Sequence, residues 1–166
     1  MYKYIGIFNH NGNIIDITDP CYDKDVWCRT TQELPEGEYD CWVDIADCGD
    51  WGTRVSKSFI IKKDCSYEDD VWYSEIVAEI GVDAGLAGFF DNKPDYNDNE
   101  WSDFCDMLHD KAWVVDENTA AKCNGFFTSS GFGDGCYDVI RLYDKDDKII
   151  GYEIKFIKEE SEEDDE

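Results

Sequence analysis

Apolar and polar positions alternate along much of the chain with the two-residue period of half-buried strands, in short runs that end at glycine, proline, asparagine or aspartate. Residues 2–8 and 13–18 are two such runs, and the Asn9-His10-Asn11-Gly12 link between them predicts an opening hairpin. Asp19-Pro20-Cys21 ends it, because proline cannot donate to a ladder, and an acid-rich loop leads to the short run Val26-Trp27-Cys28. Beyond the turn Pro35-Glu36-Gly37, the residues Tyr39, Cys41, Val43 and Ile45 alternate with Asp40, Trp42, Asp44 and Ala46 as the two faces of one strand. Gly49-Asp50-Trp51-Gly52 turns the chain back, and Thr53 to Lys62, with Val55, Phe59 and Ile61, is the expected partner strand. Residues 72–82 fit two periods. Ile76, Val77 and Ile80 would make a helical stripe, but the β-branched content and the glycines that follow favour a strand.

Helical spacing is clear in one place, from about Asn99 to Ala112, where Trp101, Phe104, Cys105, Leu108 and Ala112 share a face and Asp98 or Asn99 can cap the free amides. Three further strands are expected over about 122–128, 136–143 and 148–157, the last two joined through Asp144-Lys145-Asp146-Asp147 as a hairpin. The expected fold is therefore mainly β (α+β), with antiparallel sheets forming a sandwich or an open barrel and one helix near 99–112 packed across a sheet. Residues 1–157 read as a single acidic β-rich domain. Residues 158–166 hold no apolar side chain to offset the cost of ordering and read as a disordered, solvated acidic tail.

Composition narrows the choice of partners. The chain of 166 residues carries 40 Asp and Glu against 15 Lys and Arg, a formal net charge of −25. The tail holds seven acids and one lysine, net −6, which leaves −19 for residues 1–157, so the acidity belongs to the folded body. Such a surface repels polyanions, which argues against direct nucleic-acid binding and against anionic membranes. It favours basic proteins, metal cations, or a ligand in a less acidic pocket. With no signal segment and no apolar run long enough to span a bilayer, the protein is expected to be intracellular, here cytoplasmic. Its eight cysteines are then expected as reduced thiols, and the absence of any C-x-x-C argues against structural zinc.

Candidate chemistry lies at the glycine-rich turns. Asp83, Asp91 and Asp134 stand among glycines or at strand ends, where the backbone can approach a ligand closely, and together they would suit a cation such as calcium or a sugar hydroxyl. The plainer reading has Gly85, Gly88, Gly133 and Gly135 permitting tight turns, with Asp83 and Asp134 bonding nearby amides. Residues 91–100 do not fit an EF-hand, since counting from Asp95 the sixth position is Glu100 where glycine is needed. Trp51 in a glycine turn and Phe132 in a glycine loop are hard to bury and would flank a binding site. No nucleophile, base and orienting group fall into a catalytic pattern: Ser129 and Ser130 lack the G-x-S-x-G context, and Gly131-x-Gly133-x-Gly135 lacks a phosphate-binding lysine.

The segments Gly81-Val82-Asp83-Ala84-Gly85-Leu86-Ala87-Gly88-Phe89-Phe90-Asp91, Ser129 to Val139 and Gly151-Tyr152-Glu153-Ile154-Lys155-Phe156, with Asp19-Pro20 and Pro35-Glu36-Gly37-Glu38-Tyr39, form a pattern over about residues 14–157. It resembles the bacterial and phage family called domain of unknown function 4241. The resemblance implies a compact, mostly β domain and carries no activity.

Two functions are thus expected. The first is a non-enzymatic binding protein acting through its acidic surface, such as a phage or bacterial accessory or counter-defence factor that imitates nucleic acid and blocks a basic partner. The second is a cation- or ligand-binding module built on Asp83, Asp91 and Asp134. Acidity that serves solubility alone stands beside both.

Overall fold

A computed structural model describes residues 1–19, 29–82, 86–91, 113–116, 124–131 and 133–157. The strands are β1 (Tyr2–His10), β2 (Ile14–Thr18), β3 (Arg29–Glu33), β4 (Gly37–Asp47), β5 (Thr53–Lys62), β6 (Tyr73–Val82), β7 (Leu86–Asp91), β8 (Trp113–Asp116), β9 (Asn124–Ser129), β10 (Gly135–Tyr143) and β11 (Ile149–Lys155). They form a six-stranded sheet in the order β1-β4-β5-β11-β10-β6 and a five-stranded sheet in the order β3-β2-β7-β9-β8. Every pairing is antiparallel, and the sheets do not close into a barrel.

One core joins the two sheets. Tyr39, Cys41 and Val43 point into it from β4, with Ile60, Val139, Tyr152 and Ile154 beside them, and Ile15, Ile17, Ala87, Phe89 and Phe126 meet them from the smaller sheet. The two-residue alternation read in β4 sets this directly. In β5 and β10 both faces are buried: Phe59, Ile61, Ile140 and Leu142 form a second cluster on the outer face of the larger sheet. Residues 63–72 cover that cluster, contributing Cys65, Tyr67 and Val71 around the four-residue helix α1 (Tyr67–Asp70). Ser66 caps α1 by accepting from the Asp69 amide.

The expected β4–β5 and β10–β11 hairpins and the strand over 73–82 are all present. The opening hairpin is not. β1 pairs with β4 in the larger sheet, whereas β2 pairs with β3 and β7 in the smaller one. The reason lies in the link. His10 continues β1 and buries its ring rather than standing in a turn, so Asn11-Gly12-Asn13 becomes a corner between sheets, held by the Leu34 amide donating to the Asn13 carbonyl at 3.0 Å.

Gly88 lies in the middle of β7, not in a turn, and a Cβ there would fall on the Phe126 carbonyl of β9. The helix expected near 99–112, the run Val26-Trp27-Cys28 and the tail 158–166 lie outside the described residues. Cys41, Cys48, Cys65 and Cys136 are free thiols, and among the described residues no helix is long and apolar enough to cross a membrane.

Candidate functional site

Asp91, the last residue of β7, is turned inward. One of its carboxylate oxygens meets His10 Nδ1 and the other accepts from the Asn11 amide at 2.9 Å. The other ring nitrogen of His10, Nε2, lies 2.9 Å from the Leu34 carbonyl. Asp91 thus fastens the β1–β2 corner to β7 and to the turn before β4. Asp134 is exposed in the turn before β10. That turn is pinned by Ser130 Oγ, which donates to the Gly133 carbonyl at 2.8 Å, and by the Tyr137 hydroxyl on the same carbonyl at 2.5 Å.

Register separates the two aspartates. Asp91 pairs with Asn124 and Leu86 with Ser129, so the 130–134 turn leaves from the opposite end of β7, a strand that rises roughly 17 Å over its length. Asp83 and Phe132 lie outside the described residues, and Trp51 sits in the 3-10 turn Gly49–Trp51. Among the described residues no three His, Cys, Asp or Glu side chains come together as a metal set.

What the strand order does assemble is an acid-lined cavity at one end of the larger sheet. Tyr39 at the start of β4 pairs with Lys62 at the end of β5, and Ile61 pairs with Gly151 of β11, so the 34–38 turn and the β10–β11 turn face each other. Between them lies a cavity of about 550 Å³. Glu33, Glu36 and Glu38 line one side and Asp144 and Asp147 the other, against Lys62 and Lys148. Lys63 pairs with Glu38 at 3.1 Å from outside the cavity, so five carboxylates meet three lysines and two negative charges remain in excess. Tyr39, Ile149 and Ile150 supply an apolar lining beneath them.

Both walls are fixed by their own chemistry. Asp144 Oδ1 accepts from the Lys148 amide at 3.0 Å and the Asp146 amide at 2.8 Å. The Lys148 amide above all, with Asp146, holds its carboxyl below the usual aspartate range. On the other wall the Tyr39 hydroxyl donates to the Pro35 carbonyl at 2.6 Å, and burial pushes its phenol above the ordinary tyrosine value. Behind Glu33, Arg141 ties the sheets together: Nε donates to the Tyr152 hydroxyl at 2.9 Å and Nη2 to Gln32 Oε1 at 2.8 Å, while the Tyr152 hydroxyl donates at 2.5 Å to the Glu33 carbonyl. Such a frame fixes the two turns that carry the carboxylates and offers a cation both charge and apolar contact.

Pro35-Glu36-Gly37 and Asp144 to Asp147 are each legible as turns, but only the β4-β5-β11-β10 order places them opposite one another. Comparison with known proteins gives no match: no family model, no curated protein and no solved structure.

Proposed function

We propose that the protein is a non-enzymatic binding protein that holds a basic partner against its acidic exterior, with the cavity between the 34–38 and 144–148 turns taking the partner's cationic side chains. The observation that carries this is the excess of carboxylates in a concave, braced site on a chain whose net charge is −25. Carboxylates carried on two braced turns need little rearrangement of the backbone to receive a guanidinium or ammonium, and they offer the negative charge that a basic nucleic-acid channel is built to meet. A partner that normally grips phosphates fits this reading best.

Affinity for a Lys/Arg-rich peptide, measured by titration calorimetry, is expected to fall steeply between low and physiological salt. The triple variant Glu33→Gln, Glu36→Gln, Asp147→Asn should weaken it roughly tenfold at low salt, three partly exposed ion pairs each contributing up to about 1 kcal/mol. Affinity that ignores both salt and the triple substitution refutes the reading.

A further inference from the structure

A second concave site lies on the outer face of the larger sheet, and nothing in the acidic cavity uses it. The antiparallel register places Tyr4 beside Trp42 and Trp42 beside Phe59, so three aromatic rings cross β1, β4 and β5 in one row. Phe59 is buried and forms the floor. Its ring stacks on Trp42 with centroids 6.4 Å apart, meets Tyr2 edge-on at 5.6 Å and touches Tyr67 of α1 at 4.7 Å. Tyr2, Trp42, Phe59 and Tyr67, with Cys65 and Glu68, line an open pocket of about 220 Å³.

These rings already hold an ammonium. Lys57 Nζ sits 4.3 Å from the Tyr67 ring centroid, 5.0 Å from that of Tyr2 and 5.9 Å from that of Phe59. Its charge is matched within the protein, because Glu153 Oε1 lies 3.5 Å away, buried beneath it, and also accepts from the Tyr67 hydroxyl. The internal lysine is therefore neutralised from below. The open side of the pocket faces exposed Glu68, with Asp69 next to it in α1, whereas Asp40 and Asp44, on either side of Trp42, are already engaged, Asp40 by the Tyr4 hydroxyl and Asp44 by the N-terminal ammonium and Ser56. Electron-rich rings rimmed by carboxylates attract a cation with a hydrocarbon surface more than they attract a neutral apolar group.

We propose that this pocket receives the alkylammonium head of a lysine side chain, bare or N-methylated, on the basic partner. The nature of that partner rests on the function proposed above; the recognition of an ammonium by the pocket does not. A lysine stem would lie against Trp42 and Tyr2 while its head meets the ring faces and Glu68, so that one residue of the partner is fixed here and others engage the acidic cavity.

The test uses choline and its neutral isostere 3,3-dimethylbutanol as probes, titrated into the whole protein and followed by proton NMR. Choline is expected to bind about five- to tenfold more tightly, with its methyl resonance shifted upfield by the rings and cross-peaks to Trp42 and Tyr67. Trp42→Leu should abolish the shift. Glu68→Gln, an exposed change that leaves the packing alone, should weaken choline a few-fold and leave dimethylbutanol unchanged. Equal binding of the two probes, no binding of choline, or a shift that survives Trp42→Leu in a protein with an unaltered circular dichroism spectrum would overturn the proposal. Choline binding without any affinity for basic peptide would leave the pocket standing and remove the proposed function; peptide binding indifferent to Trp42→Leu would do the reverse.

Discussion

His10 shows how much one side chain can decide. Its ring is fully buried and each nitrogen faces an oxygen, the Asp91 carboxylate on one side and the Leu34 carbonyl on the other. Each nitrogen is thus occupied, and one buried ring links β1, the end of β7 and the turn before β4. His10→Ala would take a partner from Asp91 Oδ1 and from the Leu34 carbonyl and leave a ring-sized void at the β1–β2 corner, and should cost about 3 kcal/mol in urea unfolding. Ser58 is the opposite case. Its hydroxyl is buried and finds no hydrogen-bond partner among the described residues. Ser58→Ala should therefore raise the unfolding free energy by about 1 kcal/mol, the desolvation cost it removes. Neither role can be read from residue type: a histidine beside Asn-Gly looks like a turn residue, and a serine in a strand looks exposed.

At the scale of elements, the two-residue alternation identified β4 with its inward face, whereas β5, β10 and β11 were legible only as strands, from their β-forming runs and the turns between them. Where both faces are buried or neither is, the pattern fades. β3 reads Arg-Thr-Thr-Gln-Glu, a polar run that gives no strand signal, and is held by pairing with β2. β7 was hidden by its glycine, which reads as a turn residue but is required for close approach of β9. Gly88→Ala should drive a methyl group into the Phe126 carbonyl and cost about 2–3 kcal/mol, with faster amide exchange in β7 and β9 than in β10 and β11. Loss of protection spread evenly over both sheets, or no loss at all, would contradict that assignment.

Over the whole molecule, tyrosines join the acid load in setting the response to pH. Burial lifts the phenols of Tyr39, Tyr67 and Tyr152 above their ordinary value, and the Glu153 carboxylate adds to the effect at Tyr67. Folding then retains protons that the unfolded chain releases above about pH 10. This contribution to stability is intact below that pH and is lost as the solution becomes more alkaline. Thermal unfolding should show a falling midpoint above about pH 10, and the share of tyrosinate absorbance due to these three rings should appear with unfolding, after that of exposed tyrosines such as Tyr4 and Tyr73. Early, unlinked ionisation of all ten tyrosines would mean that these rings are not enclosed.

By itself the sequence determined the strand-rich composition of the fold, the inward face of β4, the two later hairpins and the acidic charge balance. Each of these is local: a side-chain period, a turn between adjacent runs, or a count of charges. Tertiary structure alone decided that β1 and β2 part into different sheets, that His10 and Asp91 meet, and that the 34–38 and 144–148 turns face each other across a cavity. Those outcomes depend on which distant strands share a ladder, and strand pairing is chosen by burial of two sheets against one core, for which neighbouring residues carry no signal.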